Sequence, residues 1–217
     1  MKRWAVIPVF LLLVFSLPAC DDYRENRDKK ESLPRDQNGD SHTLYERGYK
    51  YYKGQGVPQN YEEAIKWFRK ASEKGHAGAQ FRLGVMYAEG QGVPQNYEEA
   101  VKWYRKGAEK GDTDAQINLG AMYYKGQGVP QNYEEAVKWF RKASEKGDTR
   151  AQINLGVMYA NGDGVPQNYV NAYMWWCLAA AKGDSDATNN RDSLEKKMTP
   201  AQIAEAQKLA SEWKPKK

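Results

Sequence analysis

Side chains that carry most chemistry are scarce in this chain of 217 residues, which holds two histidines and two cysteines. His42 and His76 have no nearby cysteine and no repeated partner of metal-ligand type, so neither a zinc site nor a nucleophile–histidine pair is expected. Carboxylates are plentiful, but they fall in pairs such as Glu62–Lys66, Glu98–Lys102 and Glu134–Lys138, the i, i+4 spacing of a solvated helix face. No isolated acid pair stands out for general acid–base work. These gaps point away from an enzyme and give no reason to expect a metal or a cofactor. Charge of one sign is equally thin. A net charge of +5, with the basic residues interleaved among glutamates, makes no stripe for nucleic acid.

One apolar run is present, Val6 to Leu17, and it is too short to span a bilayer comfortably. Lys2 and Arg3 precede it and Leu17-Pro18-Ala19-Cys20 follows, the layout of an export signal over 1–19. The ending L-P-A-C resembles the bacterial lipoprotein cleavage box. That resemblance implies acylation of Cys20 as the first residue of the mature chain and a periplasmic lipoprotein. Asp21 matches the residue that holds enterobacterial lipoproteins at the inner membrane. A plain signal cut after Ala19, giving a soluble periplasmic or secreted chain, is the alternative. With Cys20 acylated, Cys177 has no partner and no internal disulfide forms. Residues 20–42 are charged, aperiodic and almost free of large apolar groups, and read as a disordered tether.

From there on the chain repeats. GQGVPQNYEEA occurs at 54–64, 90–100 and 126–136, and an edited copy, GDGVPQNYVNA, at 162–172. Val57, Val93, Val129 and Val165 are spaced by 36 residues, and Trp67, Trp103, Trp139 and Trp175 keep the same period. Leu83-Gly84, Leu119-Gly120 and Leu155-Gly156 recur upstream of each joint. A sustained period of this length means a solenoid of helix pairs. Helix A of a unit is expected over about 79–89 and helix B over about 97–110. Gly90 can end helix A in the left-handed conformation. Pro94 forbids its continuation. Asn96 is a good N-cap, and Glu99 completes a capping-box pattern. A phosphate cradle would need further glycines or a placed Lys and Ser/Thr, which GQGVPQN lacks. The repeated stretch is a structural joint.

The pattern A-x-x-x-L-G-x-M-Y-x-x-G-x-G-V-x-x-N-Y-x-x-A-x-x-W-[FY]-x-x-[AG]-[AS]-x-x-G resembles the Sel1-like repeat, a relative of the tetratricopeptide repeat, over 43–186. The resemblance implies an all-α superhelix of about four helix-pair units that acts as an adaptor for proteins or peptides. It also implies that helix A lines the concave surface. One branch of the family is reported to bind or cleave penicillins. Its members carry disulfides in each unit, and Cys177 alone does not match them.

Both ends depart from the repeat. Arg47 stands where later units have leucine. In the last helix B, Met174, Cys177, Leu178 and Ala181 replace Lys66, Arg69, Lys70 and Glu73 of the first unit, so a charged outer face has become apolar. Residues 187–217 are read as capping helices and a basic tail. The segment Thr199-Pro200-Ala201-Gln202 starts a helix, and its Ile203, Ala206, Ala210 and Trp213 are expected to dock on that face. The alternative is an exposed homodimer patch through Met174, Cys177 and Leu178. Between units, helix A varies on one stripe. Tyr45, Tyr49 and Tyr52 of the first unit, Phe81 and Arg82 of the second, Asn118 and Tyr124 of the third and Asn154 of the fourth are the candidate partner-binding residues. The resemblance implies that Asn118 and Asn154 match the slot where peptide-binding relatives keep an Asn for backbone or terminal carboxylate groups.

Overall fold

The structure, a computed structural model, describes residues 39–216. The segment read as an export signal, the candidate acylation site Cys20, Asp21 and the stretch read as a tether up to residue 38 lie outside the described residues. Among the described residues there are ten helices and no strand. Four pairs form the units: α1 (Ser41–Lys53) with α2 (Tyr61–Glu73), α3 (Ala77–Glu89) with α4 (Tyr97–Glu109), α5 (Thr113–Lys125) with α6 (Tyr133–Glu145), and α7 (Thr149–Asn161) with α8 (Tyr169–Ala180). Two further helices close the chain, α9 (Ser185–Glu195) and α10 (Pro200–Glu212). In each unit the two helices pack on each other and the second also packs against the first helix that follows it, and α3 touches α5. No helix among the described residues is long and apolar enough to cross a membrane.

Within a unit the Leu-Gly signature sets the packing. Leu83, Leu119 and Leu155 are fully buried. A side chain on the following glycine would strike a ring of helix B: Phe68 against Gly48, Tyr104 against Gly84 and Phe140 against Gly120. The ring lies flat on bare backbone, and each such ring contributes roughly 2–3 kcal/mol through burial. Units are then tied together by two ladders. Arg69, Arg105 and Arg141 of each helix B donate to the hydroxyls of Tyr87, Tyr123 and Tyr159 at 2.7, 2.6 and 2.9 Å. Lys74, Lys146 and Lys182 donate to the carbonyls of Gly39, Gly111 and Gly147. These arginines are therefore joints between units and not idle surface charges.

The repeated stretch builds the expected turn. Gly54, Gly90, Gly126 and Gly162 end their helices at φ 71, 71, 68 and 80°. The glutamine after proline has a role that the sequence did not disclose. Gln59, Gln95, Gln131 and Gln167 donate to orphan carbonyls at the end of helix A, those of Tyr52, Ala88, Tyr124 and Ala160. Asn96 caps helix B by accepting from the Glu99 amide at 3.0 Å. The reciprocal half of the capping box does not form. Glu99 turns outward to Lys102 at 2.5 Å, and Glu63–Lys66 and Glu135–Lys138 repeat the i, i+3 pairing. The i, i+4 pairs through Glu62, Glu98 and Glu134 are replaced accordingly.

The first helix starts earlier than its apolar pattern suggests. Asp40 accepts from the Thr43 amide at 2.8 Å, so the helix begins at Ser41, within the stretch read as tether. Asp40 falls in step with Asp112, Asp148 and Asp184, which cap α5, α7 and α9 in the same way. At the other end α10 lies on α8. It opens with the full capping box between Thr199 and Gln202. Ala206 is fully buried there, with Ile203, Ala210 and Trp213 packed around Met174, Cys177 and Leu178. Much of the surface considered for self-association is thus taken up within the chain: Met174 is 8% exposed, and Cys177 and Leu178 are half-buried. Ala181 stays exposed, outside this contact.

Candidate partner-binding face

Helix A has one face pressed into the core and another half open. On α1 the core side is Leu44 and Gly48, which leaves Tyr45, Tyr49 and Tyr52 at i, i+4 and i+7 on the half-buried side. Their rings form a row, Tyr45 to Tyr49 at 6.1 Å and Tyr49 to Tyr52 at 6.2 Å between centroids. The next helix A brings Phe81 and Arg82 to the same place. The Arg82 guanidinium lies 5.4 Å from the Tyr49 ring, 5.7 Å from Tyr52 and 5.4 Å from Phe81, within cation–π range. Five of the candidate residues therefore make one cluster across α1 and α3.

The electrostatics of the cluster are unusual. Burial works against the Arg82 charge, and the Tyr45 hydroxyl with Tyr49 and Tyr52 outweighs it, so the group is held firmly protonated. Its Nε is buried and has no hydrogen-bond partner. No carboxylate pairs with Arg82 among the described residues. Tyr52 titrates above the ordinary phenol range because it is partly desolvated and lies near Glu89.

The other three candidates stand apart along the same side. Asn118 spends its amide N–H on its own helix, donating to the Asp114 carbonyl at 2.8 Å. Asn154 is half-buried and makes no side-chain hydrogen bond among the described residues. Tyr124 is half-buried with its ring 5.2 Å from that of Tyr133. Its phenol is shifted up by desolvation, with the charge of Asp163 adding to the effect.

Several neighbours of this face escaped the sequence reading. His76 stacks on Tyr45 at 4.4 Å and caps α3 through its Nδ1, which accepts from the Ala79 amide. Arg150 bridges two units, reaching Asp114 at 2.6 Å and Asp148 at 2.9 Å. A signal for that bridge existed: Asp114 and Arg150 are opposite charges at one repeat position in adjacent units. Asp163 replaces the joint glutamine of the other units.

Cys177 is half-buried against the terminal helices, and burial pushes its thiol up to about 11. At neutral pH it is a protonated packing group and a poor nucleophile. Among the described residues no group of three or more His, Cys, Asp or Glu is placed to hold a metal ion.

Stacked helix pairs on a 36-residue period, with a half-open aromatic and amide row on one side, define an α/α repeat solenoid built to present a surface. Residues 41–76, 77–112, 113–148 and 149–184 each match the Sel1 repeat, and the chain belongs to that family. Sel1 repeat solenoids are typically protein–protein interaction scaffolds and are generally non-catalytic. Solved structures similar to this chain carry the same repeat. A protective antigen of uropathogenic Escherichia coli strains, displaying an SLR fold, is 38% identical with a TM-score of 0.73; the match covers 80% of this chain and 37% of that one. A Sel1 repeat protein from Oxalobacter formigenes is 36% identical with a TM-score of 0.71, covering 82% of this chain and 74% of that one. This chain thus spans well under half the length of the first of these relatives. Among curated proteins none matches.

Proposed function

We propose that the chain is a non-catalytic scaffold of the bacterial cell envelope that binds a protein or peptide along the face carried by helix A. The observation behind this reading is the half-open row itself. Tyr45, Tyr49, Tyr52, Phe81 and Arg82 cluster at its first end, and Asn118, Tyr124 and Asn154 continue it along the next two units. In a superhelix of this type that side is concave. Aromatic groups held half-buried on stacked helices lose little freedom when a partner arrives, and they make strong anchors. The amides suit peptide backbone groups, since each can donate and accept. Acylated Cys20 anchors the chain in this reading, with Asp21 favouring the inner membrane and the residues up to about 40 serving as a leash.

Photocrosslinking in the native envelope tests the assignment. A photoreactive phenylalanine analogue replaces Tyr124 on the row, or Lys102 on the opposite side as a control. A discrete adduct from position 124 alone is expected, and mass spectrometry then identifies the partner. Adducts from position 102 alone would move the binding surface to the outer helices and end the concave reading.

A further inference from the structure

Resting on that reading, we infer that Arg82 is the step of the row that takes the carboxylate of an acidic side chain, Asp or Glu, in an extended partner segment. A half-buried guanidinium is costly unless something of opposite charge faces it. Among the described residues two other arginines meet that need: Arg150 has Asp114 and Asp148, and Arg191 has Asp192 at 2.7 Å. Arg82 has aromatic rings on three sides and no carboxylate in ion-pair reach among the described residues. Asp112 feels its charge but is engaged as the cap of α5, accepting from the Ala115 amide. Glu89 lies near Tyr52, and Lys53 sits over the same ring, so the two exposed charges there are of opposite sign.

One N–H of the guanidinium is taken by the Tyr45 hydroxyl, while Nε is buried without a partner. A carboxylate on the open side of the guanidinium supplies the missing charge, and the planar fork of arginine matches its geometry better than an ammonium does. The repeat shows that this charge is a local choice. At the same position the next two units carry Asn118 and Asn154, so the row is neutral there and cationic at one step. A ligand reading this row meets amides, then a single anion-seeking site walled by Tyr49, Tyr52 and Phe81. The face continues on both sides of Arg82, over α1 in one direction and over α5 and α7 in the other. A passing side chain therefore fits it better than a chain terminus.

The test uses the full chain immobilised and three pools of octapeptides, acetylated and amidated at their ends. The pools have Glu, Gln or Lys fixed near the centre and mixed apolar, aromatic and small polar residues elsewhere. Retained peptides are measured by mass spectrometry. The Glu pool is expected to exceed the Gln pool by roughly tenfold, as loss of one charge-assisted contact predicts, with the Lys pool lowest. Arg82→Asn should erase that ratio. It installs the residue that the same backbone position already carries in two other units, and its circular dichroism and melting point check folding. Arg82→Lys should restore only part of the preference. Equal retention of the Glu and Gln pools, lost on Tyr124→Ala, would leave the groove standing and overturn the role given to Arg82. Acidic peptides retained only with a free C-terminus would overturn the side-chain assignment. No retention of any pool would overturn both readings.

Discussion

His76 holds the capping position that Asp40, Asp112, Asp148 and Asp184 fill in other units, and this gives one joint a cap that titrates. Nδ1 can accept from the Ala79 amide only while it is unprotonated. Burial lowers the folded pKa from its ordinary value, helped by His42, whose ring stacks 6.0 Å away, and opposed by Asp112 and Glu46. The unfolded chain therefore binds the proton first as the pH falls. The contribution of this cap is complete above the ordinary histidine value near 6.5 and fades as the pH drops towards the folded value. His76→Asp should flatten the stability profile between about pH 7.5 and 5.5 and make the variant more stable at the acid end, by an amount on the order of a typical cap, about 1 kcal/mol. Urea unfolding at the two pH values measures it, and an unchanged slope in the variant would refute the assignment. The odd residue in a column of aspartates was visible in the sequence. Its stack on Tyr45 was not, because that contact joins α1 to the start of α3 through space. The choice of Glu63 over Glu62 for Lys66 was hidden for a related reason, since both spacings are open to a helix and only side-chain geometry selects one.

The joint between helices A and B shows how far local chemistry reaches. Its first glycine and its proline and asparagine act within the joint, so turn rules read them correctly. Its second glycine acts across units. Gly56 and Gly128 share the left-handed backbone, at φ 72 and 69°. A Cβ on Gly56 meets nothing within 4 Å, whereas one on Gly128 would collide with the backbone of Tyr97 and Glu98 in the preceding unit. Alanine at position 56 should cost only the conformational strain, about 1–2 kcal/mol. Alanine at position 128 should cost that strain and roughly another 1–3 kcal/mol for the overlap. Thermal unfolding of the two variants separates the terms, and equal melting points would show that the units do not meet where the structure places them. No single-unit pattern discloses this, because the partner of Gly128 is about thirty residues upstream.

At the scale of the molecule, a stack of units needs an end, and α10 supplies one. A chain ending at Met198 would leave Met174 and Leu178 open, and sedimentation should show it associating with rising concentration while the full chain does not. Met174→Lys with Leu178→Lys, the residues at the matching positions of the first unit, should return the shortened chain to the monomer. A shortened chain that stays monomeric without those lysines would remove the covering role from α10. This closure was legible because a helix-spaced set of charges had turned apolar just before a well-capped helix. That the aromatic residues of helix A would fall in one row was legible for a similar reason: deviations within near-identical units mark what the scaffold leaves unspecified. That Arg82 finds no acid, and that Asp163 stands by Tyr124, depended on how neighbouring units come together and was not. The ladders have a further consequence. The ladder bonds, from Arg69 to Tyr87 or from Lys146 to Gly111, each span one step and recur elsewhere along the stack. A gene that gained or lost a whole unit would present each survivor with a neighbour it already fits. The length of the surface on offer can thus be altered by inheritance in discrete increments, without any new contact having to be invented.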